Sequence, residues 1–346
     1  MERLSTQMQT VYAEMLEQLV AIEAQRAIGH SGGAFVLKTV KGQEYYYYQH
    51  ALPRGIVQRY VGRRSPVLDR IVERFAEGRS VAVAEREQTT RLCAVLRSGG
   101  ATGIDGAAAR VLTALADAAL FHLGGVLVGT HAFIALGNVL GVRWSGGGIR
   151  TDDIDIAGEG TLAIAVPNLT ADVPKVLESL EMGFFPVPEL SPLHPSTSFK
   201  IRGKALRLDL LTPQRGRRTD PVPIPRFRTA AQPLPYLGYL IEEPQQAALV
   251  AGSGILVNVP PPGRFALHKL LVARSRSAAQ QSKSNKDVEQ AAHLIEVLRD
   301  DRPGDLALAW EALGPQQRSR TMRSGLQALN ARHPQAHAAL RDEISR

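Results

Sequence analysis

Three aspartates fall within four positions at the start of "TDDIDIA", residues 151–157. Successive side chains of a strand point to opposite faces, so Asp153 and Asp155 share one face while Ile154 and Ile156 fill the other. Two neighbouring carboxylates raise each other's proton affinity unless a cation lies between them, and carboxylate oxygens suit Mg²⁺. The pattern predicts a divalent-cation site, and a polar surface loop is the alternative.

A second strand, "ALRLDLLT" at residues 205–212, has the same design. Leu206, Leu208 and Leu210 share one face, which leaves Asp209 on the other face with Arg207. Metal ions held by such carboxylates can activate an attacking hydroxyl and neutralise a leaving pyrophosphate. We therefore expect Asp153, Asp155 and Asp209 to be catalytic and metal-binding. A solvent-exposed pair between Asp209 and Arg207 is the alternative.

An apolar run ends in Gly129 and Thr130, just before an apolar segment with helical spacing. Glycine lets the backbone approach a ligand, and the first amides of the following helix face an anion. The Thr130 hydroxyl is predicted to cap this helix and to donate a hydrogen bond to a phosphate oxygen. Gly129 and Thr130 are thus the candidate phosphate-binding residues.

The surrounding pattern divides the chain into three parts. Residues 1–100 are predicted to form an accessory module: a helix over 5–27 capped by Ser5, a hairpin turning at Lys41 and Gly42, and a third strand near 56–62. Residues 101–215 alternate strands and helices and carry the motifs. Residues 216–346 hold a Pro- and Arg-rich connector, short strands and, from about Arg264, a helical domain.

These motifs, taken in order, resemble the polymerase-β-type nucleotidyltransferase superfamily. More closely, the segments "GVLVGTHAF", "TDDIDIA", "LDLLTP", "PPPGRFALHKLLVARSR" and "KDVEQAAHLIEVL" resemble a bacterial group of nucleotidyltransferase-fold proteins of largely unknown substrate. There is a distant similarity to the AbiEii and MenT toxin nucleotidyltransferases. The resemblance implies an α+β fold whose polymerase-β-like core is a mixed sheet flanked by helices. It covers roughly residues 20 to 300.

The resemblance also implies an activity. NMP would pass from an NTP such as ATP to an acceptor hydroxyl or phosphate with release of pyrophosphate, assisted by Mg²⁺ or Mn²⁺. Gly129 and Thr130 match the phosphate motif, Asp153 and Asp155 the metal pair, and Asp209 the third carboxylate. Threonine stands where serine or glycine is more usual. Residues 131–152 make a longer spacing than is common, and a flexible loop over 144–148 is expected to account for the excess.

Basic side chains of the helical region are the second set of candidates. Arg264, Lys269 and Lys286, together with His268, Arg276 and Lys283, lie on two successive predicted helices. In related nucleotidyltransferases, basic residues on comparable helices hold the triphosphate. The alternative is ordinary surface charge.

Four consecutive tyrosines, Tyr45 to Tyr48, alternate faces in the predicted hairpin. The outward pair could stack on bases, with phosphate contacts from nearby basic residues, and an RNA acceptor such as tRNA would fit a net charge of +8. The alternative is an aromatic strand face that stabilises a small sheet. The basic residues are Lys38, Lys41, Arg54, Arg59, Arg63 and Arg64.

Composition limits the other possibilities. Cys93 is the sole cysteine, which excludes an intramolecular disulfide, and no histidine spacing indicates zinc. No segment has the pattern of a signal peptide or a membrane span, so we expect a cytoplasmic protein without a membrane partner. Two further functions stay open: a toxin-like enzyme that modifies tRNA 3′ ends, and a catalytically silent nucleic-acid-binding protein of the same fold. Oligomeric state is not predicted.

Overall fold

A computed structural model describes most of the chain: residues 1–27, 34–52, 55–146, 149, 151–159, 170–189, 195–273, 281–314 and 321–345. Three of the sequence predictions concern residues outside this part, namely Arg54, Arg276 and the glycines at 147 and 148. No helix in the described ranges is both long enough and apolar enough to cross a membrane.

The helices alternate with strands along the middle of the chain and follow one another at its end. They are α1 Thr6–Ala27, α2 Pro66–Ser98, α3 Gly106–Asp117, α4 Gly129–Val139, α5 Val173–Ser179, α6 Leu237–Ile241, α7 Pro262–Ala273, α8 Gln281–Asp301, α9 Asp305–Glu311, α10 Met322–Arg332 and α11 Pro334–Ile344. The strands are β1 Glu2–Arg3, β2 Ala34–Val40, β3 Gln43–Leu52, β4 Gly55–Arg63, β5 Val126–Val128, β6 Val142–Arg143, β7 Asp153–Ala157, β8 Phe184–Pro186, β9 Ser198–Ile201, β10 Arg207–Pro213, β11 Val222–Ile224, β12 Thr229–Leu234, β13 Gln245–Leu249 and β14 Ile255–Val259.

The largest sheet has strand order β11-β12-β10-β7-β5, with β9 and then β8 added beside the first half of β10. Strand β10 runs parallel to β7 and β12 but antiparallel to β9, and β5 runs antiparallel to β7. The sheet is therefore mixed. Strands β11 and β12 lie beyond residue 215, where the sequence places the end of the core, and the domain boundaries stay predictions.

Alternation of side chains explains why β7 and β10 form the centre of this sheet. Ile154, Ile156, Leu208 and Leu210 are buried in one hydrophobic cluster with residues of α4, α7 and α8. The intervening polar residues take the opposite face, as predicted. Helices and a mixed sheet together confirm an α and β architecture. Identification of the sheet with a polymerase-β-type core stays a prediction.

The N-terminal elements also follow the sequence. Helix α1 begins directly after Ser5, whose Oγ accepts from the Met8 amide at 3.3 Å, so the predicted cap is confirmed. Strands β2, β3 and β4 form an antiparallel sheet, and the β2–β3 turn at Lys41 and Gly42 has positive φ at both positions. The hairpin and its third strand are thereby confirmed. Cys93 is buried, as expected of a small hydrophobic residue.

Candidate active site

The pairing of β7 with β10 brings the three predicted aspartates to one face of the sheet. Asp155 lies directly opposite Asp209 in the parallel register, and Asp153 lies opposite Arg207. Neighbouring strands are about 4.8 Å apart, so the three carboxyl groups share a small area. The alternation of the two strands was sufficient to predict the common face, whereas the register comes from the structure.

Gly129 lies where the chain passes from β5 into α4, and it contacts the face of the sheet that carries the three aspartates. Val128 pairs with Asp155 in the antiparallel register of β5 with β7, and Gly129 has φ +67°. A Cβ atom at position 129 would collide with the Asp155 carboxylate. Both the backbone conformation and the close approach therefore require glycine, and they place the first turn of α4 beside Asp155.

The predicted role of Thr130 as a helix cap is wrong. Helix α4 begins at Gly129, so its N-cap is Val128, which makes no side-chain cap hydrogen bond. Thr130 lies instead inside the first turn, where its side chain is buried. A cap at Thr130 would make residue 131 the first helical residue, whereas the helix begins two residues earlier, at Gly129 with its positive φ. Within the part of the chain that the structure describes, this hydroxyl makes no hydrogen bond.

Asp209 is fixed by two side chains that donate to the same carboxylate oxygen. Arg207 Nε lies 2.5 Å from Oδ1, and Ser198 Oγ also donates to Oδ1. Arg207 Nη2 in turn donates to Ser198 Oγ at 2.8 Å. Asp209 thus has one oxygen in a closed hydrogen-bond triangle. Ser198 was missed from the sequence, because only the antiparallel pairing of β9 with β10 places it opposite Asp209.

Asp153 contacts two groups from neighbouring helices. Its Oδ2 lies 3.8 Å from Lys283 Nζ of α8, and its backbone carbonyl accepts from His131 Nδ1 of α4 at 3.1 Å. A carbonyl can only accept, so the proton of His131 is on Nδ1. Burial lowers the pKa of His131, and this favours the neutral ring. His131 therefore ties α4 to β7 in a structural role.

The surroundings of Asp155 disfavour the ionised form of its carboxyl group. Burial, and then the like charges of Asp209 and Asp153, raise its pKa to about 6, although Lys269 and Lys283 act in the opposite direction. A raised pKa means that the surroundings favour a positive charge, a proton or another cation, beside this oxygen. The nearby lysines therefore do not fully offset the burial of Asp155 and the charges of the neighbouring carboxylates.

The lysines of α7 and α8 line the same region. Lys269 Nζ lies 2.9 Å from Asp287 Oδ1, and the side chains of this pair are only 11% and 4% exposed. Lys286 is half-buried, and burial together with the charge of Lys269 lowers its pKa. Two predicted phosphate-binding residues, Lys269 and Lys286, are thus close enough to each other and to the aspartates to interact electrostatically.

Arg264 is held by a different part of the fold. Its Nη1 donates to the Tyr239 carbonyl at 3.1 Å and to Glu242 Oε2 at 2.6 Å, both near α6. Among the described residues, none of its ion pairs is with an aspartate of β7 or β10. Its assignment to phosphate binding stays a prediction, and the structure gives it an anchoring contact instead.

The three carboxylates do not converge on a single point. No group of three or more His, Cys, Asp or Glu side chains within the described ranges is arranged to hold a metal ion. Asp153 is turned towards Lys283, and Asp209 is turned towards Arg207. The oxygen donors are suited to a hard divalent cation by type, but not by their present orientation.

The long spacing between the motifs is not explained by a wholly flexible loop. Trp144 is buried, its ring stacks on Phe133 at 4.5 Å, and its Nε1 donates to the Phe133 carbonyl at 2.7 Å. His293 of α8 stacks on the same indole at 5.9 Å. The expectation that residue 144 belongs to a flexible loop is wrong, because this aromatic side chain fills the space between α4 and α8.

Comparison with known proteins agrees with these features. The sequence model of a family described as nucleotidyltransferase matches residues 107–314, which is more than half of the chain and includes every site residue named above. No curated protein and no solved structure matches the chain. The family match supports nucleotidyl transfer as the general activity. The chain therefore belongs to this nucleotidyltransferase family.

Proposed function

We propose that the protein is a metal-dependent enzyme that transfers NMP from an NTP to an acceptor hydroxyl or phosphate and releases pyrophosphate. One observation carries the proposal: Asp155 and Asp209 lie opposite each other on adjacent strands, with Asp153 on the same face and the N-terminus of α4 against Asp155. Such a face offers acidic oxygens beside a backbone suited to phosphate, which is the combination that nucleotidyl transfer requires.

The donor set fits a divalent metal in chemistry. Three carboxylates are hard oxygen ligands, and the raised pKa of Asp155 indicates that a cation beside it would relieve repulsion. Asp153, Asp155 and Asp209 would hold Mg²⁺ or Mn²⁺. When bound, the metal would lower the pKa of an acceptor hydroxyl and neutralise charge on the phosphates. Arg207 and Ser198 hold one oxygen of Asp209, which fixes the direction of the other.

The helices beside the aspartates carry groups that can bind a triphosphate. The first amides of α4 and the Thr130 hydroxyl are donors, and Lys269, Lys283 and Lys286 add positive charge from α7 and α8. Lys283 contacts Asp153 at 3.8 Å, so phosphate and aspartate would compete for the same ammonium group. The lysines would thereby exchange a carboxylate partner for phosphate oxygens as the nucleotide binds.

The activity can be tested with each labelled NTP, Mg²⁺ or Mn²⁺, and total cellular RNA or protein as acceptor. We expect label transfer and pyrophosphate release from wild type, and loss of both in Asp153→Asn and in Asp209→Asn. Asp152→Asn is the matched control, because Asp152 is the exposed neighbour of Asp153 and removes the same charge outside the site. Turnover that survives in the first two variants, or is lost equally in the control, would contradict the assignment.

Thr130 gives a separate test of phosphate binding. Replacement by alanine removes a hydroxyl that makes no hydrogen bond within the described structure, so its loss should affect the NTP complex more than the free protein. We expect NTP binding to weaken by about 1.5 to 3 kcal/mol, the usual range for a hydrogen bond to a charged group, when measured by titration calorimetry. Thr130→Ser keeps the hydroxyl and should bind like wild type. Equal affinity of the alanine variant would remove Thr130 from the site.

A further inference from the structure

The three-stranded sheet β2-β3-β4 lies at the end of a helical hairpin. Cys93 Sγ of α2 contacts Met15 Sδ of α1, and Gly99 lies against Met8, so the two helices run antiparallel. The first part of α2 packs on the sheet through Leu68 and Phe75. With a rise of about 1.5 Å per residue, Phe75 lies about 30 Å along α2 from Leu96, which packs in the cluster that joins the helices to β13.

One face of this sheet packs against α2. Phe35, Tyr48 and Phe75 form edge-on ring contacts with centres 5.1 to 6.0 Å apart, and the Tyr46 hydroxyl donates to Asp69 Oδ1 of α2 at 2.6 Å. Tyr46 and Tyr48 are therefore the inward pair. Of the two pairs that the sequence allowed, Tyr45 and Tyr47 lie on the other face.

That other face, which we call the open face, consists by register of side chains from all three strands. Tyr60, missed from the sequence, is 61% exposed and lies beside the rings of Tyr45 and Tyr47, with centres 6.0 and 5.7 Å away. Lys38 Nζ is 5.2 Å from the centre of the Tyr47 ring. By register the open face comprises Lys38, Tyr45, Tyr47, Gln49, Gln58, Tyr60 and Arg63, together with Ala34, Val36, Val40, Gln43 and Ile56.

The chemistry of the open face is that of a surface for single-stranded nucleic acid. Its three tyrosine rings can stack on bases, which offer a flat π-face whatever their sequence. Lys38 and Arg63 flank the rings, Gln49 and Gln58 add amide donors, and no described residue on this face is acidic. The charge is thus complementary to phosphate.

We propose that the open face binds single-stranded nucleic acid and that this strand carries the acceptor of the transfer reaction. The second clause rests on the proposed function. A strand stacked at about 3.4 Å per nucleotide needs roughly nine nucleotides to run the 30 Å from Phe75 to Leu96. The cluster around Leu96 also contacts Val139 at the end of α4, and α4 begins against Asp155. The proposal therefore also predicts that long acceptors are used better than short ones.

Binding is the direct test, and it needs no turnover. The probe is a fluorescent single-stranded oligouridylate of about 20 nucleotides, longer than the roughly 4 to 16 nucleotides that an OB fold contacts. In the Asp155→Asn background, the combined change of Tyr45, Tyr47 and Tyr60 to leucine should raise the Kd at least about tenfold. The same three positions changed to phenylalanine should bind like the parent, because the rings remain.

Two further readouts keep the result specific. Binding should weaken as salt rises, and Lys38→Gln with Arg63→Gln should reduce that salt dependence. An equivalent oligodeoxynucleotide shows whether the 2′-hydroxyl contributes. Circular dichroism must show that the leucine variant unfolds at the same temperature as its parent. Tyr48→Phe on the inward face should leave the Kd unchanged.

Several outcomes would overturn the proposal. They are a leucine variant that binds like its parent, a wild-type protein that binds no oligonucleotide, or an open face whose mutation turns a dimer into a monomer in sedimentation. Transfer to another acceptor without any oligonucleotide binding would reject the open face and leave the proposed activity intact. Ring-dependent binding without transfer to any acceptor would reject the proposed activity and leave nucleic-acid binding by the open face intact. With both present, acceptors of about 20 nucleotides should show a lower KM than those of about 4.

Discussion

Replacing Asp155 with asparagine is expected to abolish nucleotidyl transfer and, at the same time, to stabilise the free protein. Residues that merely orient metal ligands already change activity about 10- to 100-fold, so removing a ligand itself should lower kcat by more than about a hundredfold. The amide keeps the size of the side chain and removes its charge. Single-turnover assays with labelled NTP would measure the first effect.

The gain in stability should depend on pH. The pKa of Asp155 is about 6 in the folded protein, above the usual value of about 3.9, so its ionisation opposes folding. Wild type should lose stability as the pH rises from about 4 to about 6, and the asparagine variant should not. In urea unfolding with a chelator present, we expect the variant to be more stable by on the order of 3 kcal/mol at about pH 8 and equal to wild type near pH 4. A difference that is constant over this range would contradict the environment described for Asp155.

The second large effect is expected from Gly129→Ala. The new methyl group would collide with the Asp155 carboxylate, and alanine at φ +67° costs about 1 to 2 kcal/mol in the backbone alone. Because Asp155 must move to make room, we expect turnover and metal-dependent NTP binding to be lost together. The free energy of unfolding should fall by more than the backbone term.

Gly203→Ala separates the two causes. Gly203 lies between β9 and β10 with φ +73°, and a Cβ atom there would meet nothing within 4 Å. It should therefore show the backbone cost without the collision and should keep its activity. If both glycine variants lose stability equally and both retain turnover, the close approach of Gly129 to Asp155 has no functional role.

Local alternation was enough to predict which face of each strand carries the aspartates. Ile154, Ile156, Leu208 and Leu210 are buried because every second side chain of a strand meets the core, and that rule needs no knowledge of the partner strand. The composition of the acidic face could thus be predicted. That Asp209 lies level with Asp155 depends on the parallel register of two strands about fifty residues apart, which no local pattern specifies.

Features that depend on distant partners were missed for the same reason. Ser198 bonds to Asp209 only because β9 pairs with β10, and Tyr60 joins the other tyrosines only because β4 pairs with β3. Trp144 precedes a glycine-rich stretch and looks like a loop residue, yet its stacking partner His293 lies on α8. In each case, long-range pairing outweighs the local signal.

The contact between the first helix and β13 has a consequence for synthesis of the chain. The Tyr12 hydroxyl accepts from the Ala248 amide and donates to the Ala248 carbonyl, across a separation of 236 residues. At about 5 to 20 residues per second, a ribosome needs roughly 12 to 47 seconds to make the intervening chain. Helix α2 emerges much sooner and can cover part of α1. The rest of the apolar face of α1 stays exposed until β13 and β14 have been made. Nascent chains stalled before residue 248 should therefore expose this surface to chaperones, and chains released after β14 should not.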